Sequence, residues 1–276
     1  MTKKILITGA NGQLGHEMRN ALKGNNRFEC IFTDVAELDI CNAEAVKQII
    51  ADNHIDYIVN CAAYTQVDKA EDNAELCKKI NTDAVENLAR AAATYGARMI
   101  HISTDYVFNG RGYRPYTEDV VPDPQSVYGS TKLEGEKILT DICPESIIIR
   151  TAWLYSPYGN NFVKTMLHLG EEREELSVVA DQIGTPTCAA DLAQAILVIL
   201  QADTFVPGTY HFSDEGACSW YDFTVTIHRL AGITTCRVTP IRSDEYPSKA
   251  HRPFYSVLDL SLIHISEPTR PEHLVC

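Results

Sequence analysis

The run Lys4-Ile5-Leu6-Ile7-Thr8, followed without a gap by Gly9-Ala10-Asn11-Gly12-Gln13-Leu14-Gly15 and a helical pattern through Leu22, narrows the fold of this chain more than any other stretch. A short apolar run of this kind reads as a buried strand. Glycines repeated every third residue between a strand and a helix permit a tight turn, bring a pyrophosphate close to the helix N-terminus and let helix pack on strand. A glycine-rich turn without a ligand is the competing reading, and the position directly after the first strand of an alternating β/α chain speaks against it.

The alternation continues. Cys30-Ile31-Phe32-Thr33-Asp34 reads as a second strand whose final carboxylate lies about twenty residues past the loop, where an acid bonds the adenosine ribose hydroxyls. Asp34 would repel a 2′-phosphate, so it favours NADH; a capping role is its competitor. Leu38-Asp39-Ile40 leads to a helix from Ala43 to Asn53 with Asn42 as N-cap. Asp39 there is an adenine contact or simply a turn acid. Tyr57 to Cys61 is a third strand, continued by Ala62-Ala63-Tyr64, whose small side chains allow close backbone approach to a cofactor. A helical segment runs from about Asp68 to Tyr95, broken near Asn81 or Thr82 and stopped by Gly96. Met99 to Ser103 is the fourth strand, with His101 read as a core histidine. It delivers Thr104, Asp105 and Tyr106 to the carboxyl edge, where open α/β sheets bind ligands.

Residues 109–126 form a long Gly- and Pro-rich loop, expected to be a lid or wall. Beyond it, Tyr128-Gly129-Ser130-Thr131-Lys132 opens a helix, and positions i and i+4 share a face. The spacing predicts a phenol and an ammonium side by side, the cation lowering the Tyr128 pKa, as suits a general acid in carbonyl reduction. An unconnected Tyr and Lys is the alternative. A strand from Ser146 to Arg150 leads to Trp153-Leu154-Tyr155 and a helix from about Asn161, with Trp153 either lining a sugar or base pocket or packing in the core. After Phe205 the β/α rhythm fades, which suggests a smaller lobe.

Composition excludes other classes. A formal charge of -13 opposes nucleic-acid binding, and no apolar run reaches the ~20 residues of a membrane helix. Nine irregularly spaced cysteines without a C-x-x-C suggest buried thiols, neither disulfides nor zinc. No leader pattern opens the sequence, so the expected location is the cytoplasm.

The glycine loop, STDYVF at Ser103–Phe108 and YGSTK at Tyr128–Lys132, in this order, resemble the extended short-chain dehydrogenase/reductases. With NCAAYTQVDKAE at Asn60–Glu71, RTAWLY at Arg150–Tyr155, NNFVKTML at Asn160–Leu167 and DQIGTPT at Asp181–Thr187, the chain resembles more narrowly the dTDP-4-dehydrorhamnose reductase family over residues 3 to about 259. The resemblance implies an α/β fold with a Rossmann-type doubly wound parallel sheet over residues 1–150 and a smaller substrate-binding lobe over 151–259, some of whose elements return to the first core. It implies reduction of a nucleotide-linked 4-keto sugar with NADPH or NADH. Tyr128 would be the proton donor, Lys132 its electrostatic partner and ribose ligand, and Thr104 a hydroxyl on the substrate O4. Asp105 and Trp153 would contact the sugar nucleotide. Gly9, Asn11, Gly12, Gln13, Leu14, Gly15, Asp34, Asp39, Ile40, Ala62, Ala63 and Tyr64 would hold the dinucleotide. Some members form magnesium-bridged homodimers through glutamates; Glu17 could be one ligand, but Ala190 stands where another acid is expected. A nucleotide-binding regulatory subunit like the methionine adenosyltransferase β subunit, or a nucleotide-sugar epimerase or dehydratase, are the rival readings. Residues 260–276 resemble a translated sequencing adaptor, so the expectation is a truncated native C-terminus and no functional weight for His264, His273 or Cys276.

Overall fold

The computed structural model describes residues 2–266. Alternate side chains of β1 (Lys3–Thr8) enter two different cores, Ile5 and Ile7 one and Leu6 the other, because successive strand residues face opposite sides of a sheet. Strands buried on both faces read as continuous apolar runs, and this sheet is built of them. β1, β2 (Phe28–Phe32), β3 (Tyr57–Asn60), β4 (Arg98–Thr104) and β5 (Ile147–Thr151) pair in parallel, and a later strand, β10 (Gly208–His211), adds to β5. The order β10-β5-β4-β3-β1-β2 is that of a doubly wound Rossmann-type sheet, as the alternation implies.

Helices cover both faces. α1 (Gln13–Ala21) and α8 (Ala189–Gln201) close one core with Ile5, Ile7, Val59, Ile100 and Ile149. α2 (Ala43–Asn53), capped by the Asn42 side chain as expected, closes the other with α5 (Ala84–Tyr95) and α6 (Val127–Ile142) over Leu6, Ile58, Met99 and Ile148. Glu136 of α6 and Arg150 of β5 form a buried bidentate pair at 2.7 and 3.0 Å, tying that helix to the sheet.

The expected helix from Asp68 to Tyr95 is divided. α3 (Val67–Asp72) ends where the Asn73 amide turns back onto the Lys69 carbonyl, and α4 (Ala74–Lys78) runs into a π-helical turn, Lys79–Asp83, before α5. The break expected near Asn81 is this turn; the break at Asn73 gave no sequence signal beyond a poor helix former. Asn81 uses the turn to brace Tyr64, accepting its N–H at 2.8 Å and donating to its carbonyl at 3.1 Å. Gly96 stops α5 in the left-handed region.

A second, smaller core lies between α7 (Phe162–Glu172) and α9 (Trp220–Ala231), with Leu176 and Val178 of β7 (Glu175–Val179) and Val238 of β12 (Arg237–Ile241). Short pairs join β6 (Leu154–Tyr155) to β9 (Thr187–Cys188) and β8 (Ile183–Gly184) to β11 (Cys218–Ser219). Of the stretch 260–276, α10 (Ser261–Ser266) is described and sets Ile263 against the α8 core; residues 267–276 lie outside the described residues. Eight described cysteines are all free thiols, and no described helix is long and apolar enough to cross a membrane.

Candidate active site

The carboxyl ends of β1, β3 and β4 meet in one place. Gly9 has φ +64°, and a Cβ there would lie 2.6 Å from the Ala62 nitrogen, so the turn after β1 packs directly on the chain leaving β3. At Gly15 a Cβ would approach the Gly9 carbonyl to 2.3 Å; only hydrogen lets α1 seat this close. No side chain caps the N-terminus of α1 at Gly12. Its amides and partial positive charge face the glycine turn, and this cradle fits a dinucleotide phosphate. Leu14 itself is buried in the core, so only its backbone can serve a ligand.

The Asp34 carboxylate accepts the Asn11 and Val35 N–H groups at 2.9 and 2.8 Å, which braces the glycine turn against the end of β2. An acid so held still has lone pairs for a hydroxyl. Asp39 is an exposed turn acid, accepting the Cys41 N–H at 2.9 Å, and Ile40 is buried beside it.

At the end of β4, Thr104 is buried and donates to Asp105 Oδ1 at 2.9 Å while accepting the Tyr106 N–H at 3.2 Å. Asp105, 2% exposed, is buried as deeply as Thr104, at 4%. Burial outweighs the Thr104 hydrogen bond and pushes its carboxyl up to about 6.

Tyr128 sits in the first turn of α6, where Ser126 caps the helix through the Gly129 N–H. Gly129 is required there, because a Cβ would come 2.2 Å from the Tyr106 carbonyl. The Tyr128 ring is half-buried, edge-on to Tyr106 at 5.4 Å, with its enclosed hydroxyl toward Thr104. Burial raises its pKa above the ordinary phenol range, and the Thr104 hydrogen bond opposes this only in part.

The expected lowering by an adjacent Lys132 is overturned. Lys132 lies on the same helix but 1% exposed, and its Nζ turns to the Ile102 carbonyl at 2.6 Å and to His101 Nε2 at 3.2 Å. Burial lowers its pKa to about 8. Tyr128 and Lys132 are one turn apart on α6, but the sheet beneath offers Lys132 partners that the phenol does not.

Trp153 has a left-handed backbone, φ 47°, which directs its indole onto Trp220 at 3.4 Å between centroids and over Gly184, where a Cβ would meet the ring at 2.5 Å. The 109–126 loop is a wall pinned at its middle: Tyr116 exchanges backbone bonds with Val257 and Asp259 and stacks on Phe108. Gln13 ties the glycine loop to the second lobe through Asn161 at 2.9 Å.

Glu17, weighed as a magnesium ligand, is buried and accepts from Ser156 and Asn20 at 3.0 and 3.1 Å. No cluster of three or more His, Cys, Asp or Glu able to hold a metal occurs among the described residues. Sequence reasoning missed Arg252, which joins Asp68 and the Tyr106 hydroxyl beside the site from a segment far along the chain.

Comparison with known proteins agrees with this fold. A solved dTDP-4-dehydrorhamnose reductase of Clostridium acetobutylicum is 50% identical with a TM-score of 0.92, covering 95% of this chain and 92% of that one. The Bacillus anthracis dTDP-4-dehydrorhamnose reductase, solved in complex with NADP, is 41% identical with a TM-score of 0.93, covering 97% and 94%. The Escherichia coli dTDP-4-dehydrorhamnose reductase is 43% identical over 268 residues, 92% of this chain and 89% of its own. The family model of the RmlD substrate binding domain matches residues 3–273, and the chain belongs to that family.

Proposed function

We propose that the protein is an NADPH- or NADH-dependent oxidoreductase that reduces the 4-keto group of dTDP-4-dehydro-L-rhamnose to dTDP-L-rhamnose. The observation that carries this reading is the convergence of Tyr128 and the Thr104 hydroxyl at the carboxyl edge of the sheet that also carries a glycine cradle suited to a dinucleotide. When bound, the dinucleotide supplies a hydride to the sugar C4.

Tyr128 then donates its phenolic proton to the carbonyl oxygen, which becomes the 4-hydroxyl as the C=O π bond breaks. A raised Tyr128 pKa keeps the phenol protonated through the neutral range, and a sugar alkoxide is basic enough to take that proton. Thr104 gives its one hydroxyl proton to Asp105 Oδ1 in the ligand-free protein; turned from that acceptor to the substrate oxygen, it would join Tyr128 in meeting the charge that develops there, and such donors favour the transition state over the ground state. The residues that would hold the dinucleotide are Gly9, Asn11, Gly12, Gln13, Leu14, Gly15, Asp34, Ala62, Ala63 and Tyr64, with Lys132 toward the nicotinamide ribose. The Trp153 indole, held by the left-handed backbone, would wall the sugar nucleotide. Cytoplasmic location and a homodimer belong to the same proposal, and sedimentation of the purified protein tests the dimer.

The test is to supply reduced dinucleotide deuterated at the transferring position together with dTDP-4-dehydro-L-rhamnose. Deuterium at C4 of dTDP-L-rhamnose is the expected result. Unlabelled product, or label retained on recycled dinucleotide, would replace the reductase with an epimerase or dehydratase.

A further inference from the structure

Thr8, Asn60 and His101 are register neighbours across β1, β3 and β4, and they form a polar row in an otherwise apolar sheet. Each is at most 1% exposed. Thr8 Oγ1 donates to Asn60 Oδ1 at 2.7 Å, Asn60 Nδ2 meets His101 Nδ1 at 3.0 Å, and His101 Nε2 meets Lys132 Nζ at 3.2 Å. At its ends the row is tied to backbone groups whose polarity cannot change. The Ala62 N–H donates to Asn60 Oδ1 at 3.2 Å, and the Ile102 carbonyl accepts from Lys132 at 2.6 Å.

These fixed ends decide every proton between them. A backbone N–H only donates, so the Asn60 oxygen faces Ala62 and its amide nitrogen faces His101. An amide nitrogen only donates, so His101 Nδ1 accepts and a neutral ring carries its proton on Nε2. That N–H points at Lys132. An ammonium has three donors and no acceptor, whereas a neutral amine donates to Ile102 and offers its lone pair to His101. The chain is therefore satisfied by the amine and frustrated by the ammonium.

We propose that His101 is a positioning residue that disfavours the charged form of Lys132 in the ligand-free protein, so that binding an anionic dinucleotide is coupled to proton uptake at this lysine. The other groups facing Lys132 do not reverse this. Glu136, one turn on along α6, attracts a cation but is already paired with Arg150 of β5; Cys77 of α4 is an un-ionised buried thiol, and Tyr128, one turn back, is a protonated phenol. The lowered Lys132 pKa agrees in direction, and a negative ligand restores the charge. The coupling to a dinucleotide rests on the function proposed above; the tautomer does not.

Two measurements test it. Imidazole nitrogen NMR on the ligand-free protein, assigned with H101Q, is expected to show His101 neutral with its proton on Nε2; a proton on Nδ1, or a charged ring, overturns the proposal. Calorimetric titration with NADPH in two buffers of different ionisation enthalpy, at about pH 8.5, is expected to show uptake of a large part of one proton. In H101Q the glutamine can present its oxygen to the ammonium, so uptake at that pH is expected to fall severalfold, and the alkaline limb of kcat/KM to move up by about one pH unit. Equal uptake in both proteins means that His101 only packs. Absence of NADPH binding in the wild type would instead reject the function, with the tautomer still read by NMR.

Discussion

Replacing Asp105 by Asn is expected to make the protein more stable and less active. Burial raises the Asp105 pKa to about 6 from 3.8 in the unfolded chain. A raised acid pKa means that the folded state binds the proton more tightly. The stability this provides is present below pH 3.8 and lost as pH rises through about 6. A difference of about two units corresponds to about 3 kcal/mol that the wild type forgoes at neutral pH by holding a buried anion. Asn keeps an oxygen for the Thr104 hydroxyl, so that hydrogen bond survives while the charge goes. Urea unfolding at about pH 7.5 should show D105N more stable by about 2–3 kcal/mol with an unchanged m-value, the gain shrinking toward zero near pH 4. Turnover should fall because an amide grips Thr104 more weakly than a carboxylate. A variant no more stable than wild type at neutral pH would refute the claim that Asp105 is held there as a costly anion.

Glu136→Gln strips the buried Arg150 of its counter-charge, and unfolding is expected to cost about 3–5 kcal/mol less than in wild type, read from denaturant midpoints. Gly129→Ala drives a Cβ into the Tyr106 carbonyl, so α6 must shift; stability should drop by about 1–3 kcal/mol and kcat by tenfold or more, ~10¹, as Tyr128 moves off line. Asp34→Ser removes the carboxylate that repels a 2′-phosphate, and the ratio of NADPH to NADH affinity should rise by about tenfold in direct binding titrations.

Much of this architecture is legible in the chain because local rules and the global fold agree. Lys4–Thr8 and the glycine turn specify strand, turn and helix with no tertiary help, and the same holds for Asn42 and Gly96 at helix ends. Thr104 and Tyr128 are legible as partners because one closes a strand and the other opens the next long helix. The i+4 spacing puts Lys132 on the Tyr128 helix but says nothing of what lies under it. What lies under it is His101, 31 residues earlier on β4. The signal was present in another form: Thr8, Asn60 and His101 are polar residues near the ends of three apolar strands, and a parallel register aligns them. The burial of Asp105 could not be read from sequence, since the chain turns into a 3-10 helix, Asp105–Val107, after the strand and the alternation rule lapses there. Arg252 has no local signal, because its partners Asp68 and Tyr106 are fixed by the packing of the two lobes.

The most direct test of the central claim is oxidation of NADPH, and separately NADH, by wild type and Y128F with dTDP-4-dehydro-L-rhamnose, followed by nicotinamide absorbance. The account predicts one dinucleotide consumed per dTDP-L-rhamnose formed by the wild type, and in Y128F a kcat lower by ~10² or more with dinucleotide affinity unchanged. Near-normal turnover in Y128F would contradict the assignment of Tyr128 as the proton donor.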